Sequence, residues 1–195
     1  QSDAVAAAGL ELSGLRASAA LRGLPKLPTM SVTAEAQAAG QPASLLIEAA
    51  PAGRDVRVSR FLLEAPGTKV QAAGDIDPSS LLFAGTVDAS SEDLGVPGRV
   101  LSQDLRGTLA ARAELTRSKD TQHVSIEGVG QGLGLMCLDI CRASVEGETV
   151  WPDPLRGTDI RVALDSVAKG ALKVDRITGA LRGAGRAVAI GREAY

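Results

Sequence analysis

Apolar and polar residues alternate in short runs along most of the chain. The clearest run is Asp159-Ile160-Arg161-Val162-Ala163-Leu164-Asp165, with Ile160, Val162 and Leu164 on one side and Asp159, Arg161 and Asp165 on the other. Leu109, Ala111, Ala113 and Leu115 alternate in the same way, as do Val124/Ile126, Val32/Ala34/Ala36, Leu45/Ile47/Ala49, Val56/Val58, Leu172/Val174 and Val188/Ile190. Successive side chains of a strand point to opposite faces, so each run predicts a half-buried strand. Turn residues separate the runs: Pro51-Ala52-Gly53, Ala65-Pro66-Gly67-Thr68, Asp77-Pro78-Ser79-Ser80, Pro152-Asp153-Pro154, Gly170 and Gly179. Roughly ten short strands at about ten-residue spacing predict an all-β protein, as a sandwich, a barrel or an elongated sheet.

Two segments depart from this pattern. Ser2 to Leu24 is rich in Ala and Leu, and Ser2 is a suitable helix cap. Gly9, Gly14 and Gly23 interrupt it, however, and Leu15/Ala17/Ala19/Leu21 alternates, so a strand is expected from about Gly9 onward. In Asp88 to Leu105, Ser90 and Asp93 have the spacing of a capping box. Val96, Val100 and Leu101 continue an apolar stripe past Pro97, predicting one or two short helices near 90–101. A degenerate motif, Leu-polar-Gly, recurs as Leu12-Ser13-Gly14, Leu105-Arg106-Gly107, Leu155-Arg156-Gly157 and Leu181-Arg182-Gly183. Its intervals are too irregular for a solenoid of fixed period and suit a sheet that adds hairpins of variable length.

Composition narrows the function. Of 195 residues 45% are hydrophobic but only 2% aromatic, so the apolar positions are small and aliphatic. The net charge is -2, and with so few rings for base stacking no nucleic-acid partner is expected. No run approaches the ~18 apolar residues of a spanning helix. No basic segment followed by an apolar one marks a signal peptide, and the chain starts at Gln1, so it is read as a mature product or a piece of a longer protein.

Candidate chemistry is sparse. The single His, His123, has no nucleophile elbow or zinc-spaced Cys around it and is expected to be an exposed residue at a strand start. Gly128-Val129-Gly130-Gln131-Gly132-Leu133-Gly134 fits neither nucleotide-loop template and is read as a glycine-kinked strand or wide turn. Cys137 and Cys141, four apart, are expected to be buried free thiols. On an extended strand their Cα atoms lie about 13 Å apart, too far for a disulfide. Asp75 and Asp77 flank Ile76 beside a proline turn, and Asp159/Arg161 and Arg60/Glu64 look like solvated strand faces. No enzyme activity, metal or cofactor is expected.

From about Phe61 to Gly191 the chain resembles the TamB family, the AsmA-related subunits of the translocation and assembly module. The carrying residues are Leu63-Glu64-Ala65-Pro66-Gly67-Thr68, Ala73-Gly74-Asp75-Ile76-Asp77 and Leu94 to Leu101 leading into Asp104-Leu105-Arg106-Gly107-Thr108-Leu109-Ala110-Ala111. They continue with Gly130-Gln131-Gly132-Leu133, Ala143-Ser144-Val145-Glu146-Gly147 and Leu155-Arg156-Gly157-Thr158. The resemblance implies a single β-rich segment over residues 1–195, folded as an elongated, curved, gutter-like antiparallel sheet (a β-taco) with an apolar concave face. It implies a periplasmic place within an inner-membrane-anchored protein that bridges to the outer membrane, phospholipid acyl chains as cargo, and a BamA-like outer-membrane β-barrel as partner of the parent protein. Neither the family's N-terminal anchor nor its barrel-docking end is expected in this chain, which is read as an internal segment, and the Cys pair is not part of the resemblance.

On this reading an apolar groove is lined by Leu109, Ala111, Ala113, Leu115, Val124, Ile126, Ile160, Val162, Leu164, Leu172 and Val174. The alternative is a structural or adhesive β-protein, like an autotransporter passenger, in which the same residues fill a closed core. Alternation alone does not separate an open groove from a closed core.

Overall fold

The computed structural model describes residues 4–7, 10–23, 28–38, 40–100, 103–135, 138–151, 156–184 and 187–193. They form one antiparallel sheet of 13 strands whose spatial order is the order of the sequence. The strands are β1 (Ala4–Ala7), β2 (Leu10–Arg22), β3 (Thr29–Ala38), β4 (Gln41–Ala52), β5 (Asp55–Ala65), β6 (Thr68–Ile76) and β7 (Phe83–Ser91), then β8 (Leu105–Ser118), β9 (Thr121–Leu135), β10 (Leu138–Trp151), β11 (Arg156–Lys169), β12 (Leu172–Ala184) and β13 (Ala187–Glu193). A single helix, α1 (Gly95–Val100), lies between β7 and β8.

The elements follow from local chemistry. Asp77 organises the β6–β7 turn: its carboxylate accepts from the Ser79 amide and hydroxyl at 2.9 and 2.6 Å and from the Ser80 hydroxyl at 2.9 Å. These bonds, the Ser79 hydroxyl first, hold the Asp77 carboxyl down at about 2. The helix is capped by Asp93, whose Oδ1 accepts from the Gly95 amide at 2.8 Å. Ser90, half of the expected capping box, instead belongs to β7. Gly179 is not a turn; it lies inside β12 opposite Val162.

The Leu-polar-Gly motif has a structural meaning. Gly14, Gly107 and Gly157 all have positive φ (64°, 100° and 76°). Each lies where its strand slips register, between Ser13 and Arg16, Arg106 and Thr108, and Arg156 and Asp159. Left-handed backbone carries no steric cost in glycine, so these three copies mark β-bulges, whereas the fourth, Leu181-Arg182-Gly183, pairs in regular register with β13.

Among the described residues the sheet has no second layer. Packing of any extent links only neighbouring strands and α1 with β8. No described side chain is fully buried, and the apolar residues below a tenth exposure are Ala38, Ala49, Val58, Leu82, Ile140 and Val167. The molecule exposes 13203 Å², where a compact monomer of 19.9 kDa would expose about 8,700 Å². This excess is the signature of an open, single-layered architecture.

Candidate functional site

Residues directly opposite one another in a ladder share a face, so the register assigns every strand position to a side. One row runs Ala17, Ala34, Leu45, Leu63, Val70, Ala89, Ala111, Gly128, Val145, Val162, Gly179 from β2 to β12. The next row on the same face runs Ala19, Val32, Ile47, Phe61, Ala72, Val87, Ala113, Ile126, Gly147, Ile160, Leu181. A third, from β2 to β9, runs Leu21, Met30, Ala49, Val58, Gly74, Gly85, Leu115, Val124. No polar side chain interrupts any of the three. At about 33 Å² of face per position, from strand spacing and two-residue repeat, about thirty positions present about 1,000 Å². An ordinary monomer's largest apolar patch is a few hundred Å².

All the groove residues expected from the sequence lie on this face. Ala111, Ala113, Leu115, Val124, Ile126, Ile160 and Val162 stand in the three rows, with Leu109 and Leu164 in the neighbouring row through Gly130 and Ala143. Leu172 and Val174 reach it through a crease. Gly132, Cys141, Ser166 and Asp175 line up across β9 to β12, each an unpaired position between paired ones, with the register unchanged on either side. Gly132 and Ser166 adopt positive φ there, 57° and 53°. The crease resets the alternation, so Leu133, Ile140, Val167 and Val174 continue the apolar face. A Cβ on Gly130 would meet the Leu133 Cδ1 at 2.6 Å, which places Leu133 over the same face. Leu109, Val162, Val174 and Leu172 stay exposed by 39%, 39%, 37% and 66%, as an uncovered face requires.

The sequence reading missed the half of this face contributed by β2 to β7. The signal was present, because Val32/Ala34/Ala36 and Leu45/Ile47/Ala49 alternate like the residues of β8 and β9. What alternation does not reveal is that all the runs face the same way.

Side-chain and helix contacts gather both long edges at mid-sheet. On the edge formed by the β2–β3, β4–β5, β6–β7 and β8–β9 turns, Arg117 of β8 pairs with Asp55 of β5 at 2.6 Å. Its Nη1 also donates to the Leu82 carbonyl at 3.4 Å. The Phe83 amide of β7 donates to Gln122 Oε1 of β9 at 2.9 Å. In a flat sheet β5 and β8 lie about 14 Å apart and β7 and β9 about 10 Å, so these links curl this clasp edge. On the opposite edge α1 folds against the start of β8: a Cβ on Gly98 would meet the Leu105 Cβ at 2.9 Å. From β2 to β12 the register gives this face two charges, Arg117 and Lys169, both near its edges. The shape is that of a gutter.

The other face is polar. Its ion pairs include Arg57–Asp75 at 2.9 Å, Lys69–Glu64 at 3.2 Å, Arg112–Asp88 at 3.6 Å and Arg161–Glu146 at 3.6 Å. The hydrogen bond from Arg57 holds the Asp75 carboxyl below its ordinary range. Such exposed pairs each contribute roughly 0–1 kcal/mol. A depression of about 490 Å³ is on this polar face, where Lys69, Arg112 and Glu127 stand around small residues such as Ala110 and Ser144. It gathers both signs of charge and offers no nucleophile–base pair. No group of three His, Cys, Asp or Glu able to hold a metal occurs among the described residues.

His123 is exposed near the start of β9, and the glycine-rich segment is part of that strand, kinked at Gly132 where φ is 57°. Cys141 is exposed rather than buried, because it sits at the crease where the pleat resets. Cys137, and with it the question of a bridge, lies outside the described residues, as does the Pro152-Asp153-Pro154 turn. No family model, curated protein or solved structure matches the chain.

Proposed function

We propose that the chain is a segment of a TamB-like envelope protein and that its apolar face is a track for phospholipid acyl chains. The observation that carries this reading is the set of three uninterrupted apolar rows beneath no second layer. From β2 to β12 the track spans ten strand spacings, about 48 Å. An acyl chain spans about half of a 30 Å hydrocarbon core, or about 15 Å, so several chains fit in file.

Binding here would be non-specific and additive, at about 0.8 kcal/mol per buried CH₂. Because neighbouring positions offer similar small aliphatic surface, a chain can advance by one strand without losing its contacts. The headgroup stays in water beyond the edge, where the face's two charges lie. Transport of this kind needs no catalytic residue. In this reading the parent protein is anchored in the inner membrane, crosses the periplasm and meets an outer-membrane β-barrel of the BamA type. The alternative of a passenger-like protein relied on a closed core, and an open sheet has none.

Mass spectrometry of an organic extract of the purified chain tests the track. Phospholipid is expected in stoichiometric amount, and the double substitution Val162→Asp/Leu164→Asp, which puts two carboxylates into the rows, should remove it while circular dichroism stays that of a sheet. Wild-type protein that carries no lipid, and takes up no fluorescent fatty acid, would sink the reading.

A further inference from the structure

We propose that the clasp edge is a docking rim for a phospholipid bilayer, with Leu81 and Trp151 as the side chains that enter it. The choice of a bilayer as occupant rests on the acyl-track reading, since this edge opens directly onto the apolar rows; the residues and the measurement are separate from those of the track.

The β6–β7 turn carries the argument. Leu81 is 78% exposed while its neighbour Leu82 is 9% exposed. Leu81 also has φ 58°, in the left-handed region that favours glycine. A leucine here is disfavoured by its backbone and gains nothing from burial within the chain. The turn is nevertheless tightly determined: the Leu81 amide donates to the Asp77 carbonyl at 2.8 Å, the Asp77 amide to the Leu82 carbonyl at 3.0 Å, and the Ser79 and Ser80 side chains fasten the Asp77 carboxylate. The clasp fixes the base of the turn through Arg117 and the Leu82 carbonyl. The result is a rigid prong with an apolar tip, and contact with an apolar phase outside the chain would offset its cost.

The rest of the edge repeats the chemistry. Trp151, the last residue of β10, is 57% exposed and is the only Trp of the chain. Its register partner is Gln122, the residue that holds the Phe83 amide, so Trp151 stands near the prong. Leu21 and Met30, paired at the end of the β2–β3 hairpin, are 57% and 43% exposed. Between these apolar tips lie Arg54 in the β4–β5 turn and Lys119 in the β8–β9 turn, neither with an ion-pair partner among the described residues, and two acids without a cation partner, Asp120 and the serine-bound Asp77. Apolar tips, an amphipathic Trp and unpaired cations on one edge match the interface of an anionic bilayer, where the rings sit at headgroup level and cations meet phosphates.

Vesicles of phosphatidylethanolamine with phosphatidylglycerol test the rim. The chain should float with them, more strongly than with phosphatidylcholine alone. Trp151 emission should shift to the blue and be quenched by lipids brominated along the acyl chain. Leu81→Ser should weaken partitioning about tenfold, the value of one buried leucine, with an unchanged circular dichroism spectrum. Absence of flotation on every vesicle, or flotation indifferent to Leu81→Ser and Trp151→Ser together, overturns the rim. Protein that carries lipid in the extract but does not float overturns the rim alone. Protein that floats without extractable lipid upholds the rim and overturns the track.

Discussion

Among the described residues Leu81, Lys119 and Ser166 are the non-glycine residues with positive φ, at 58°, 48° and 53°. At Ser166 the left-handed turn of the backbone flips Val167 onto the apolar face, where it is 7% exposed. Strict alternation from Ile160, Val162 and Leu164 would put Val167 among the charges, and nothing in a serine announces the exception. The bulge glycines were more legible, because the Leu-polar-Gly motif recurs, although its meaning as a register slip came only from the ladders. Gly107 gives the sharpest test. A Cβ there would meet the Gln131 and Gly132 carbonyl oxygens at 2.5 Å, on backbone with φ 100°. Gly107→Ala is expected to cost about 2–4 kcal/mol, read as a lowered midpoint in urea. Asp77 sets a pH window. Its carboxyl is held at about 2 against an ordinary 3.8, so its contribution to the turn is complete above the ordinary value. It is lost as the pH falls toward the depressed one. The amide resonances of Ser79 and Leu81 should hold from neutrality to about pH 4 and move together between there and about pH 2.

At the scale of elements the waist of the sheet stands out. β6 and β7 have nine residues each, whereas β8 to β11 have fourteen or fifteen. The shortfall is made up by the β6–β7 turn on one edge and by α1 on the other. The sequence marks both: Asp77-Pro78-Ser79-Ser80 as a turn and 90–101 as helical. It does not reveal that Arg117 reaches Asp55, 62 residues away, because a bond across two intervening strands depends on the curl of the finished sheet. These side chains are 21% and 28% exposed, so the pair is only partly shielded from water. Arg117→Ala is expected to destabilise by about 1 kcal/mol and to loosen the Leu82 carbonyl. A double-mutant cycle with Asp55→Ala should recover most of that cost as coupling.

For the whole molecule, strand order equals sequence order, so twelve spacings set a long dimension of about 58 Å. A plate of that length and of strand-length width has a radius of gyration of about 20 Å, against about 16 Å for a compact domain of 195 residues. Small-angle scattering of the monomer should return the larger value; the smaller would mean that the sheet closes on itself in solution. Alternation predicted the strands and the two-faced sheet, and it left open whether the apolar face was covered. That distinction depends on a second layer, which periodicity does not encode.

The sequential strand order also decides how the molecule responds to a pull. Its first and last strands lie at opposite ends of the sheet, so tension between them acts along the ladder hydrogen bonds and opens them one pair at a time. The chain should therefore yield to optical tweezers as a zipper, at low force and in steps of one hairpin, as expected of a one-dimensional array whose units touch only their neighbours. Its refolding would be quick for so much β-structure, because almost every contact to be remade lies within the next hairpin. A segment held at its two ends would give length one hairpin at a time and recover it as each strand pairs again with its neighbour in sequence.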